Sequence, residues 1–241
     1  MEPNQSFQSL FSNSYSQIKI PFPVDSSDNI YVTGSTSGGL DGNTNSGNDD
    51  LILVKYNSSG TKQWTKQLGT SSSDIGYGVT VDSSDNIYVT GYTEGGLDGN
   101  TSSGKKDFFL TKYNSSGTKE WTKQEGSSGD DFAYGVAVDS SVNIYVTGYT
   151  DKKFHGNNNS GRFDIFLVKY NSSGARQWTK QLGTSNNEYA SAVATDSSDN
   201  IYVTGVTWGG LDGSTKPSYC KKATVKASNE CTDTFLVKYN S

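Results

Sequence analysis

The chain has 241 residues, 20 basic and 25 acidic side chains for a net charge of −5, and 32% hydrophobic against 12% aromatic content. This mild acidity excludes the basic face that a nucleic-acid binder needs, and no apolar run approaches the ~18 residues of a membrane span. Leu, Ile, Val and Phe total only 46 residues, but low net charge and many rings set the chain apart from disordered ones.

Self-comparison organises the rest. DSSDNIYVTG starts at Asp25, Asp82 and Asp196, and DSSVNIYVTG at Asp139, a spacing of 57. Trp64, Trp121 and Trp178 keep that spacing, and residues 25–81 share 41 of 57 positions with residues 82–138. The fourth Lys-Tyr-Asn, at 238–240, arrives 12 residues late, behind an insertion at about 216–232. Units therefore run 25–81, 82–138 and 139–195. Residues 196–241 form a fourth that residues 2–24 complete, within a single domain spanning 1–241.

In chain order, residues 6–11 come first and sit in register with 63–68, Phe7 replacing Trp64 and Phe11 replacing Leu68. Residues 20–24 carry Pro21 and Pro23, which fit only a sheet edge. A full unit then predicts four strands. In the second copy these are 78–81, 86–92, 107–113 and 120–124. An Asp-Ser turn at 82–85 and an Asn-Ser-Ser-Gly hairpin at 114–117 separate them. No segment has helical periodicity. Four short strands at a fixed period predict an all-β fold, a β-propeller of four four-stranded blades. The N-terminal strand, through Phe7 and Phe11, would complete the last blade by ring closure or by exchange between molecules.

The run DxxxNIYVTGxT, LDG, DxFLVKYN and SGxxxWTKQxG resembles the bacterial SBBP-type β-propeller repeat. The resemblance covers 25–241 closely and 2–24 only in its aromatic pattern. It implies a propeller in a secreted or surface-associated protein and supplies no catalytic motif.

Asp50, Asp107, Asp164 and Asp233 open the third strand of every unit. They read as turn-fixing carboxylates ahead of a ring of metal ligands. Asp41, Asn43 and Asn45 place oxygens at alternate positions, echoed by Asp98 with Asn100 and by Asp212, as a calcium loop begins. Turn chemistry is the default there, and a structural calcium is the alternative cofactor; no other is expected. His155, the only histidine, sits in a loop without a visible Ser, Cys or carboxylate partner, so no catalytic role is expected. The Tyr31/Tyr88/Tyr145/Tyr202 series reads as packing with a bonded hydroxyl. Trp208 replaces Ser37, Glu94 and Asp151 of the other units, which marks it as a contact residue. Cys220 and Cys231 share the insertion and read as a disulfide of an oxidising compartment.

These features predict a non-enzymatic, extracellular or cell-surface structural and binding module of the adhesion type, with a protein or glycan partner. Two alternatives stand beside it: a filament subunit that self-assembles by N-terminal strand exchange, and a multivalent lectin-like propeller. Residues 1–5 lack the charged start and apolar core of a signal peptide.

Overall fold

A computed structural model describes residues 22–211 and 232–240. Among the described residues the chain is all-β, with a 3-10 turn at Leu97–Gly99. Sheet I holds β1 (Ile30–Thr36), β2 (Asp50–Tyr56) and β3 (Lys62–Leu68). Sheet II holds β4 (Asp74–Val81), β5 (Ile87–Thr93), β6 (Asp107–Tyr113) and β7 (Lys119–Glu125). Sheet III holds β8 (Asp131–Val138), β9 (Ile144–Thr150), β10 (Asp164–Tyr170) and β11 (Arg176–Leu182). Sheet IV holds β12 (Glu188–Thr195), β13 (Ile201–Thr207) and β14 (Asp233–Tyr239). Every sheet is an antiparallel meander in chain order. The expected third strand, 107–113, matches β6; the first is longer than expected, since β4 starts at Asp74.

Apolar side chains on both faces of the central strands explain the stacking. Along β6, Phe108 and Leu110 face sheet III, whereas Phe109 and Tyr113 face sheet I. A sheet that is apolar on both faces needs a neighbour on each. Three cores result, joining sheets I and II, II and III, and III and IV.

The DSSDN turn repeats in atomic detail. Asp82 Oδ1 accepts the backbone N–H of Ser84 and Asn86 at 2.8 and 2.9 Å, and its Oδ2 accepts the Tyr88 hydroxyl at 2.9 Å. Asp25, Asp139 and Asp196 do the same for Tyr31, Tyr145 and Tyr202. Tyr31, Tyr88 and Tyr145 pack between sheets with bonded hydroxyls, as their spacing suggested, whereas Tyr202 is bonded but half-buried. The last turn residue takes positive φ: Asp28 59°, Asp85 61°, Asp199 61°, and Val142 59° in the one divergent copy. Asp tolerates this left-handed region; a β-branched residue is strained there.

Neighbouring turns are latched. Ser26 donates its N–H and Oγ–H to the Asp85 carboxylate at 2.9 and 2.7 Å, joining sheet I to sheet II. Ser140 bonds Asp199 in the same way at 3.0 and 2.7 Å, joining III to IV. Between II and III the partners would be Ser83 and residue 142, and valine offers no acceptor. Completion of the last sheet by residues 6–11 lies outside the described residues, as do Phe7, Phe11, Asp212, Cys220, Cys231 and the expected disulfide.

Candidate functional site

The carboxylates that open β2, β6 and β10 are fully buried. Asp50 Oδ2 accepts the Ser46 N–H at 2.8 Å and the Gln67 amide at 2.9 Å. Asp107 takes Ser103 and Gln124, and Asp164 takes Ser160 and Gln181, identically. They fix the preceding loop. Asp233 is only half-buried. A second buried acid, which sequence reasoning missed, accompanies each: Asp74, Asp131 and Glu188 at the starts of β4, β8 and β12. Asp131 Oδ2 accepts the N–H and Oγ–H of Ser127 at 2.6 and 2.8 Å. Burial raises Asp74, Asp131 and Asp164 above the usual carboxylate range. The missed signal was the repeat itself, which keeps an acid at 74, 131 and 188.

The side chains of the loop read as calcium-like are engaged within the protein. Asp41 pairs with Lys62 and Asp98 with Lys119. Asn43 and Asn100 donate their amides to the Leu40 and Leu97 carbonyls at 2.8 and 2.7 Å, and Asn45 donates to the Gly47 carbonyl at 2.5 Å. A lysine ammonium thus sits against the carboxylate that would lead a cation site. Among the described residues, no group of three or more His, Cys, Asp or Glu side chains is placed to hold a metal.

His155 corrects an expectation. It has a carboxylate partner, Glu125 of the neighbouring sheet, 3.0 Å from Nε2, while Nδ1 lies 2.9 Å from Thr179 Oγ. Arg176 Nε lies 3.1 Å from the same Glu125 oxygen. The partner was invisible in sequence because it is 30 residues away. The third unit replaces its neighbours' Asp–Lys pair by His and Arg, and Glu125 restores the missing charge.

The feature that sequence reasoning found only at one end is an aromatic row across sheets II to IV. Tyr77 stacks on Tyr134 with centroids 4.6 Å apart. Tyr92 meets Phe132 edge-on at 4.9 Å, and Phe132 meets Tyr149 at 4.9 Å. Tyr149 meets Tyr189 edge-on at 4.6 Å, and Tyr189 meets Trp208 at 5.0 Å. Lys106 caps the row 4.9 Å from the Tyr92 centroid, and Arg162 lies 5.1 Å from that of Phe163. The rings are half-buried, with Tyr77 41% exposed. Burial raises the Tyr77, Tyr92, Tyr134 and Tyr149 hydroxyls above the usual phenol range, so they remain neutral hydrogen-bonding groups. The Trp208 indole N–H is buried without a hydrogen-bond partner.

Each of these rings stands where the units differ. Ile75, Phe132 and Tyr189 are equivalent, as are Ser35, Tyr92, Tyr149 and Val206, and as are Asp49, Lys106 and Phe163. Several of the differences between units therefore fall on one patch.

Residues 63–98, 120–155 and 177–212 match the SBBP β-propeller repeat. The chain carries three copies of the SBBP repeat. Each match runs from the outer strand of one sheet into the loop after the second strand of the next, so it spans the joint between blades. Two relatives align with this chain. An uncharacterized WD repeat-containing protein of Acanthamoeba polyphaga mimivirus is 27% identical over 216 residues, covering 73% of this chain and 16% of that protein. The regulatory protein FlaEY of Caulobacter vibrioides is 27% identical over 193 residues, covering 71% and 20% respectively. The chain thus spans a fifth or less of each relative's length. No helix among the described residues is long and apolar enough to cross a membrane.

Proposed function

We propose that the protein is a non-enzymatic structural and binding module of the cell surface or extracellular space, and that its contact face is the aromatic row from Tyr77 to Trp208. One observation carries this: rings from sheets II, III and IV, several of them at positions where the units differ, meet in a single half-exposed row. Converging unlike groups is how a binding face is made from like units. The surface location rests on polar composition, the Cys220/Cys231 pair and the family resemblance. The four-blade count, with residues 6–11 completing sheet IV, belongs to the same reading.

A glycan is the favoured ligand class within it. Half-exposed rings with neutral hydroxyls and the flanking Lys106 and Arg162 suit a sugar's apolar face and its acceptors. The test is an array of neutral and acidic glycans, run with and without calcium, against the wild type, Tyr134→Ala and Trp208→Ala. Hits lost in both variants are expected. A silent array removes the glycan reading and leaves a protein partner, to be sought by cross-linking through residue 77. Unchanged hits in both variants would displace the aromatic row as the site.

A further inference from the structure

Sheets I to III each join their last two strands by the same hairpin, Asn-Ser-Ser-Gly, at 57–60, 114–117 and 171–174. Asn114 Oδ1 accepts the backbone N–H of Ser116 and Thr118 at 3.1 and 2.9 Å and the Ser116 hydroxyl at 2.7 Å. Asn57 does the same with Ser59 and Thr61, and Asn171 with Ser173 and Ala175, their serine hydroxyls at 2.7 and 2.8 Å. Both serines of every hairpin are exposed.

These backbone bonds are the ones that an aspartate makes elsewhere in the unit. Asp82 Oδ1 accepts the N–H groups two and four residues on, as Asn114 Oδ1 does. A carboxylate therefore forms this turn as readily as an amide, and with stronger, charge-assisted bonds. Lys55 Nζ, which donates to the Ser115 carbonyl at 3.5 Å, would favour it further. In the aspartate turn the second oxygen is also engaged, by Asn86 and Tyr88. In the hairpins the corresponding atom is Nδ2, and at Asn57, Asn114 and Asn171 it donates to none of the described residues. Asn43, Asn86, Asn100, Asn143 and Asn157 all donate theirs. Turn chemistry thus explains the amide oxygen and gives the nitrogen no role.

We propose that Asn57, Asn114 and Asn171 are acceptors for N-linked glycosylation. Each heads an Asn-Ser-Ser triplet, the N-x-Ser acceptor pattern without proline at its centre, on a surface turn. The co-substrate is a sugar activated as a phosphate ester on a nucleotide or lipid carrier. Transfer forms a bond from Nδ2 to the sugar C1 and breaks the C1–O bond. The phosphate leaves with that electron pair, and Nδ2 gives up one proton to a base of the transferase. The serine hydroxyl on Oδ1 fixes the amide and leaves Nδ2 uncommitted. Placement suits the modification. β6 opens at Asp107, beside Lys106 of the aromatic row, and closes at Tyr113, beside Asn114. At about 3.3 Å per residue the hairpin stands about 20 Å from the row. Sugars at these turns would leave the row uncovered, and the proposal does not depend on what the row binds.

Peptide mass spectrometry of the full chain recovered from the cells that make it tests this. Hexose or N-acetylhexosamine is expected on the peptides holding Asn57, Asn114 and Asn171. Ser116→Ala is expected to abolish the sugar at Asn114 and leave the other two sites modified, whereas Ser116→Thr keeps it. Asn114→Asp is expected to lose the sugar with unchanged circular dichroism and melting, because a carboxylate accepts the same N–H groups. Bare asparagine at all three positions overturns the proposal. So does a sugar at Asn114 that survives Ser116→Ala, or a lowered melting temperature in unglycosylated Asn114→Asp, which would show that the turn itself needs the amide.

Discussion

Val142 is the one residue of the repeated turn that breaks two local rules together, and Val142→Asp is expected to stabilise the protein. Its φ of 59° places a β-branched side chain in the left-handed region, which costs about 1 kcal/mol or more. It also removes the acceptor that Asp85 and Asp199 supply to Ser26 and Ser140 at 2.7–3.0 Å. Two such exposed, charge-assisted bonds contribute about 1 kcal/mol together. Against this, Val142 packs partly on the joint between sheets II and III, and losing that half-buried contact costs about 1 kcal/mol. The net gain is about 1 kcal/mol, or about 2–4 °C in melting temperature for a chain of this size. Thermal unfolding followed by circular dichroism measures it. Ser83→Ala separates the parts: it should be silent in the wild type and lower the melting temperature in the Val142→Asp background. The reverse change, Asp85→Val, should destabilise by about 2 kcal/mol, adding strain while deleting both bonds. Val142→Asp melting below the wild type, or a Ser83→Ala effect equal in both backgrounds, would refute the reasoning.

Further outcomes can be checked on the same purified protein. Asp74, Asp131 and Asp164 have carboxyls raised by burial. Stability tied to their protonation is complete below the unfolded value of 3.8 and is lost as pH rises through their folded values. Asp25, Asp41, Asp196 and Asp199 are lowered; at Asp196, hydrogen bonds from Asn200 bring the value to about 2. Their stabilisation holds above 3.8 and fades below it. Melting temperature should therefore rise on mild acidification from pH 7 and fall below about pH 3.8, and Asp131→Asn should flatten the rise. Gly148→Ala should destabilise by about 3 kcal/mol or more, because its Cβ would lie 1.7 Å from the Phe132 carbonyl oxygen, a backbone atom of the paired strand; normal melting would show that the strand can yield. Replacing His155 by Asp, Arg176 by Lys and Glu125 by Leu together should reproduce the Asp98–Lys119 pair with its Leu68 neighbour and leave melting within about 0.5 kcal/mol of wild type, whereas His155→Asp alone sets a carboxylate against Glu125 and should cost more.

The repeat made strands, turns and sheet order legible because their causes are local. An Asp that caps its own turn, a glycine hairpin and alternating apolar residues act within a few positions, so DSSDNIYVTG alone places a turn and a strand. The buried Asp50, Asp107 and Asp164 were legible as turn-fixing groups for the same reason. Asp74, Asp131 and Glu188 escaped because their importance comes from burial against the neighbouring sheet. Glu125 escaped as the partner of His155 because stacking, and not sequence proximity, brings them to 3.0 Å.

Sequence by itself determined the unit: its length, its four-strand pattern and its apolar character on both faces, which obliges units to stack. Tertiary structure decided which differences between units matter. Tyr77, Tyr92, Phe132, Tyr149 and Tyr189 are scattered over 113 residues, and only stacking at a fixed step brings them into one row ending at Trp208. It also decided that Leu236, identical in sequence context to three buried leucines, is exposed. Burial depends on which surface lies opposite, and a repeat carries no record of that.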